Sequence, residues 1–357
     1  MALSPIYFMS NSQFFSHLIF GVSLTLVSAL ITWVMLYVVK IIDHPNERSS
    51  HTIAVPKSGG IAIVVTFSIG MLGIYLLADE NLTQQSYFFS FVFCSLFIAA
   101  ISLFDDIKHK SVKFKFYSQI FAVLLALGSG IVINKIALPV FGYIELGWFA
   151  YLVSFIWILG LTNAYNFMDG LDGLMAGITI IATLFFMVIC FYQGSSFVYI
   201  TCYTLLAGAI GFILFNMSPA KIFMGDVGSA FLGFTLAVLA IIAARYDSSH
   251  TSFLVMPLLL FNVIYDTTFT YIRRFLNKEK VTQAHRSHLY QLMNQIGYSH
   301  LEVSLTHYNM AFLQGLGALW MVNIPGSQRL YIFIPFLLIQ LVYSYWVIKR
   351  AKQKSLI

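Results

Sequence analysis

Polar residues fall so unevenly along this chain that its elements can be read from the gaps between them. Apolar runs occupy 17–39, 59–78, 87–104, 116–134, 148–165, 173–192, 197–215, 229–244, 251–272, 309–323 and 330–348. Most reach the length that a helix rising 1.5 Å per residue needs to cross a hydrocarbon core of about 30 Å. The runs at 229–244 and 309–323 are the shortest. The pattern predicts an all-α, polytopic membrane protein of ten or eleven transmembrane helices, with residues 1–357 forming one integral domain. Met1 to Phe20 contains no Lys or Arg, so the first run lacks the basic region of a cleaved signal peptide.

Composition agrees. The chain is 59% hydrophobic and 10% charged, with a mean hydropathy of +0.83. A soluble domain carries about a quarter charged residues and could not bury this much apolar surface in one globule. Its solvent must be lipid. A formal net charge of +6 would suit nucleic acid only if the cations shared one soluble face. Here they flank apolar runs, so no nucleic-acid partner is expected. Cys94, Cys190 and Cys202 all lie inside apolar runs and are read as packing residues, without disulfide or metal spacing.

The basic residues also set a direction. With the N-terminus periplasmic and the C-terminus cytoplasmic, 17 of the 20 Lys and Arg fall inside, and only Lys135, Arg245 and Arg329 fall outside. This is the orientation the positive-inside rule selects. The cytoplasmic loops are then about 40–58, 105–115, 163–172, 216–228 and 273–308. They hold ten of the fourteen carboxylates, counting Asp266 near its helix end. The outer loops are short and chemically plain. The function, whatever it is, is therefore expected to face the cytoplasm.

Four inner loops carry recognisable chemistry. Asp105-Asp106 is followed by Lys108, Lys110, Lys113 and Lys115. Adjacent carboxylates at a membrane boundary repel each other and lose solvation, so they call for a cation. Mg²⁺, a shared proton or the lysines themselves would each supply that need. Asn163, Asn166 and Asp169 stand three apart, followed by Gly170, Asp172 and Gly173. In a helical turn they project from neighbouring positions, and such side chains at the end of an apolar helix are costly unless they bind something. Hard oxygen ligands suit Mg²⁺ with phosphate rather than zinc. Next, Asn216 precedes Gly225-Asp226-Val-Gly228-Ser229, a glycine turn feeding a helix N-terminus that suits a metal–phosphate pair. In the last loop His285, Arg286 and His288 could clamp an anion, form part of a zinc site, or sit as a solvated loop. Beyond them, Leu289 to Leu305 alternates in a way that predicts a helix lying on the membrane surface. The first loop adds Arg48 and His51, ahead of Pro56-Lys57-Ser58-Gly59-Gly60.

In order, these motifs resemble the polyprenyl-phosphate N-acetylhexosamine-1-phosphate transferases (glycosyltransferase family 4), from about Asp43 to His307. The matching signatures are Asp-Pro-Asn-x-Arg-x-x-His before a Gly-Gly helix, the Asp-Asp pair, Asn-x-x-Asn-x-x-Asp-Gly-x-Asp-Gly, and Phe-Met-Gly-Asp-x-Gly-Ser. One departure is His44, which stands between Asp43 and Pro45. The resemblance implies a homodimeric enzyme of the bacterial inner membrane that joins undecaprenyl phosphate to the β-phosphorus of a UDP-sugar. It also implies Mg²⁺, with Mn²⁺ as an alternative. By the same likeness, Asp105 and Asp106 match the catalytic pair, Lys115 a phosphate-contacting lysine, and Asn166 and Asp226 the metal ligands. Asp169 and Asp172 match the nucleotide-side acidic motif. Arg48, His51, Lys113, Asn163, Asn216, His285, Arg286 and His288 are further expected substrate contacts.

The last loop lacks the run of consecutive histidines found in the phospho-muramyl-pentapeptide branch. It looks instead like the branch that initiates O-antigen or other cell-surface polysaccharide, in lipopolysaccharide or cell-wall biogenesis. Outside the family, a transporter would place its acidic residues at the bilayer midplane on broken helices. A scaffold would have no use for four clusters of oxygen ligands.

Overall fold

The computed structural model describes residues 11–39, 41–43, 54–77, 86–108, 111–139, 141–246, 251–280 and 285–357. Helices form wherever the apolar runs predict them. Helix α1 (Asn11–Val34) ends in a π-helical segment, Met35–Val39, and is followed by α2 (Ile61–Leu77), α3 (Ser86–Lys108) and α4 (Val112–Gly128). Then come α5 (Phe149–Met168), α6 (Leu174–Gln193), α7 (Ser196–Asn216) and α8 (Gly225–Arg245). The C-terminal part holds α9 (Val255–Leu259), α10 (Phe261–Leu276), α11 (Leu289–Gln295), α12 (His300–Met321), a 3₁₀ segment at Gly326–Ile332 and α13 (Phe333–Gln353). Among the described residues, α1, α3, α6, α7, α8 and the last helix with its 3₁₀ lead-in are long and apolar enough to cross a membrane. The chain is an all-α, multi-pass membrane protein.

Helix α8 is the centre. Every residue from Val227 to Ala243 is buried, the condition in which a helix is apolar all round. It packs on α3 and α5. A Cβ on Gly233 would stand 2.8 Å from the Leu161 carbonyl oxygen, so this glycine is what lets α5 and α8 approach so closely. The outer helices show the opposite pattern. Leu18, Val22, Leu26 and Leu30 on α1 are all exposed, one every four residues, forming a stripe that only lipid can solvate.

Four predicted details change. The run at 116–134 leaves the helix at Gly128 and continues into β3 (Lys135–Leu138), which pairs antiparallel with β4 (Gly142–Glu145). The loop there is a hairpin. The run at 251–272 is two helices, broken at Leu260. The loop at 105–115 is largely helical, since α3 reaches Lys108 and Ser111 caps α4 by accepting from Phe114 N–H. Finally, Leu289–Leu305 is not one surface helix. Leu289 to Met293 of α11 are buried, Gly297 turns the chain at φ +120°, and a Ser299–Glu302 capping box starts α12. Alternating polarity suits a surface helix, but a glycine followed by a capping box stops one helix and begins another.

Candidate active site

The site is built where two helix N-termini meet. The strand β2 (Val55–Pro56), paired with β1 (Ile42–Asp43), leads into the Gly59-Gly60 turn that opens α2. That turn docks on the segment leading into α8 through Phe223 N–H to Pro56 O (2.8 Å), Gly59 N–H to Phe223 O (2.9 Å) and Gly60 N–H to Met224 O (2.9 Å). A Cβ on Gly60 would lie 2.4 Å from Gly228 Cα, so the two glycine motifs are halves of one contact. Gly225 adopts φ +73°, a left-handed turn that glycine enters without strain. Asp106 is drawn into this junction and is buried. Its Oδ2 accepts from Val227 N–H (3.1 Å) and Ser58 Oγ (3.3 Å), and its Oδ1 lies 3.6 Å from Lys57 Nζ. It therefore meets the positive end of α8.

Helices α4 and α5 supply the next layer, rung by rung. Asn163 Nδ2 donates to Gln119 Oε1 (3.0 Å) and to Leu159 O (2.8 Å). One turn further along, Asn166 Oδ1 accepts from Lys115 Nζ at 3.0 Å. The same ammonium is bonded to Asp226 Oδ2. Asn166 Nδ2 closes the group by donating to Asp226 Oδ1 (2.6 Å) and Ser229 Oγ (2.9 Å). An amide oxygen from α5 and a carboxylate oxygen from α8 thus converge on one cation. Asp169, at the end of α5, is half-buried close by. Burial first, then the Asp226 and Asp106 charges, push its carboxyl up to about 8. Asp105 Oδ1 is buried with no hydrogen-bond partner among the described residues.

Asp172 and Asn216 do different work. Asp172 Oδ2 accepts from Ala220 N–H (3.1 Å) and its Oδ1 lies 3.1 Å from His300 Nδ1. Burial pushes this carboxyl up, but hydrogen bonds from His300 and Ala220, with the His300 charge, hold it below the ordinary range. Asn216 Oδ1 accepts from Gly173 N–H (3.1 Å), and its Nδ2 donates to Ile222 O (2.8 Å). Together these two residues pin the loop after α5 to the loop after α7. They brace the two loops against each other.

The last loop docks beside Asp169. Tyr290 OH donates to Phe167 O (2.9 Å), and a Cβ on Gly170 would stand 2.3 Å from that hydroxyl. Asp266, buried in α10, organises this loop. It accepts from Leu289 N–H (2.9 Å) and Tyr290 N–H (3.0 Å), and lies 3.2 Å from His288 Nδ1. His285 stacks on His288 with ring centroids 5.0 Å apart. Arg286 is half-buried, and its Nε has no partner among the described residues.

Of the predicted site residues, Asp106, Lys115, Asn166, Asp169 and Asp226 come together; Asp105 precedes Asp106 on α3, and His288 packs beside Phe167 of α5 with His285 stacked on it. Asn163 stands one helical turn behind Asn166, and Lys113 is exposed on α4. Arg48 and His51 lie outside the described residues. Lys57, Ser58, Ser229 and Asp266 stand within the stretches that the sequence marks, but without an individual site role there. Lys57 had a signal, being a cation directly before a glycine pair. Asp266 had only its cost, a carboxylate in an apolar run.

Comparison with known proteins identifies the family. Residues 88–244 match the family described as glycosyl transferase family 4. The chain is 32% identical over 300 residues to a probable undecaprenyl-phosphate N-acetylglucosaminyl 1-phosphate transferase of Bacillus subtilis, covering 84% of this chain and 81% of that protein. It is 28% identical over 304 residues to a phospho-N-acetylmuramoyl-pentapeptide-transferase of Lacticaseibacillus paracasei, covering 79% of this chain and 84% of that one. A Listeria monocytogenes protein of the same name is 48% identical over 99 residues, 28% of this chain and 31% of its own. A multi-pass protein of the bacterial inner membrane, the chain belongs to glycosyl transferase family 4, the polyprenyl-phosphate N-acetylhexosamine-1-phosphate transferases.

Proposed function

We propose that this transferase moves a sugar 1-phosphate from a UDP-N-acetylhexosamine, or its 6-deoxy relative, to undecaprenyl phosphate. The reaction would begin O-antigen or another cell-surface polysaccharide, from a cleft facing the cytoplasm. An oxygen of the lipid phosphate bonds to the β-phosphorus of the UDP-sugar. The bond from that phosphorus to the bridging oxygen breaks, and UMP leaves with the bond's electron pair. A phosphate monoester has a second pKa near 6, so the nucleophile is largely dianionic at neutral pH and needs little deprotonation. The demand is to bring two anions together. Lys57 and Lys115 meet that demand, and Asp105 and Asp106 orient the acceptor.

One observation carries the reading: Lys115 Nζ is held jointly by Asn166 Oδ1 and Asp226 Oδ2. Two hard oxygens already aimed at a cation fit Mg²⁺. That ion binds through one or two carboxylates, keeps its waters and takes the rest of its ligands from substrate phosphates. The described residues contain no cluster of three or more His, Cys, Asp or Glu, so a mixed amide and carboxylate set is the form such a site would take. Asn166 and Asp226 would hold the ion, which when bound neutralises charge building on the pyrophosphate. Lys115, released from that pair, would be left to contact the phosphate.

Purified protein incubated with undecaprenyl phosphate, a panel of UDP-sugars and Mg²⁺ should release UMP. It should stop with EDTA and recover on Mg²⁺ addition. No UMP with any sugar, from protein shown to be folded, would sink the reading. The panel includes UDP-N-acetylmuramoyl-pentapeptide, because the 48% identity over 99 residues to a Listeria protein favours that substrate as a second reading. The His285-Arg286-Ser287-His288 loop favours the first.

A further inference from the structure

The three basic residues stranded at the far end of the molecule come from three separate segments, yet they share one cavity. Lys135 lies on β3, Arg245 in the last turn of α8 and Arg329 in the 3₁₀ segment, and together they line a space of about 560 Å³. Asp226 opens α8 and Arg245 closes it. Those 19 helical steps put the cavity roughly 28 Å from the acidic cleft.

Among the described residues its lining holds three cations and no Asp or Glu. Lys135 has a partner, Glu145 Oε1 at 3.0 Å, and both side chains are well exposed. Among the described residues neither arginine has an ion pair. Arg245 donates through Nη1 to the carbonyls of Gly130 (2.7 Å) and Val132 (3.2 Å), and Arg329 donates through Nε to Ile324 O (3.3 Å). A guanidinium carries five N–H donors, so each retains donors for an anion. The remaining wall is apolar, with Ile136, Ile241 and Phe253 among its residues.

The depth of the cavity is marked independently. Around the β3–β4 hairpin, Trp148 is 92% exposed, Phe141 75% and Tyr143 68%, and Tyr143 lines the cavity itself. Exposed aromatic residues of this kind settle at the headgroup level of a bilayer. Cations stranded at that depth against the general charge bias, beside apolar walls, match an amphiphile with a negative head. A neutral lipid would leave the arginines unused, and a free anion would leave the apolar wall unused.

We propose that this cavity binds the phosphate-bearing headgroup of an anionic membrane lipid, at the end of the bundle opposite the acidic cleft. Full-length protein in neutral detergent is titrated with phosphatidylglycerol, phosphatidylcholine or inorganic phosphate, following bound lipid by native mass spectrometry and melting temperature by tryptophan fluorescence. Phosphatidylglycerol should bind and raise the melting temperature, whereas phosphatidylcholine and inorganic phosphate should not. Arg329→Gln should weaken phosphatidylglycerol about fivefold, the effect of one surface cation, and Arg329→Lys should keep most of the affinity. Ala244→Phe, which fills the cavity without touching charge, should abolish binding and stands in should Arg329→Gln not fold. Equal binding of the two lipids, or phosphatidylglycerol binding unchanged in Ala244→Phe, overturns the proposal. A melting shift with inorganic phosphate as large as with phosphatidylglycerol assigns the cavity to the free anion and overturns the lipid.

Discussion

Asp226, in the first turn of α8, and Asp172, in the loop after α5, stand on the same side of the bundle, and their surroundings could hardly differ more. Asp172 is met by a backbone N–H and a histidine that hold its two oxygens between two loops and α12. Asp266 is similarly saturated, taking two backbone N–H groups and His288. Asp226 instead faces side chains that can move: a lysine from α4 and an amide from α5. Asp105 Oδ1, next to Asp106 in the chain, is buried without a hydrogen-bond donor among the described residues. A carboxylate with both oxygens taken, as at Asp172 and Asp266, is part of the architecture, because backbone donors cannot leave without unfolding a loop; Asp106 is anchored to backbone through Oδ2 alone, its Oδ1 facing Lys57. One held by a lysine ammonium can exchange that partner for a metal ion or a phosphate. The difference separates residues that make the cleft from residues that use it.

That contrast can be broken most directly at Asp226. Asp226→Asn should lower UMP release about 10³-fold, the scale of losing a central electrostatic contact to a transition state, while the melting temperature holds. Activity within tenfold of wild type would place Asp226 with the braces. Lys57→Ala should cost less, about 10- to 100-fold, because Lys115 still serves the same cleft; the readout is again UMP release.

The braces should respond the other way round. Asp172→Asn should lower stability by about 1–3 kcal/mol, the cost of disturbing buried hydrogen bonds to a charged group, with activity per folded molecule within about threefold of wild type. Thermal unfolding in detergent beside a UMP assay separates the two. The smallest effect is the pH dependence of that gap. A carboxyl held low contributes fully above its ordinary value of about 3.9 and loses the contribution as pH falls through its lower folded value. The stability difference between wild type and Asp172→Asn should therefore hold steady from about pH 6 to pH 5 and narrow only below about pH 4. Narrowing above pH 5 would mean that Asp172 is not held low.

Much, but not all, of this molecule is legible in its sequence. Apolar runs locate the helices because lipid demands long uninterrupted ones. Acidic clusters locate the cleft because carboxylates near a membrane must be justified by something they bind. The break at Leu260 had a local signal, Pro257 three residues earlier, which the uninterrupted apolar run masked. The buried seat of α11 had none, because it depends on Asp266 arriving from another helix.

Sequence by itself determined the solvent, the count of apolar runs and which residue types meet at one end, since each follows from composition and period along a single chain. Only the tertiary structure decided which of those residues are partners. Asp106 meets the start of α8, Lys115 is shared by Asn166 and Asp226, and Asp172 is taken by a loop it does not belong to. The physical reason is distance along the chain. Lys115 and Asp226 are 111 residues apart, and no periodicity in either helix encodes which face the other will present.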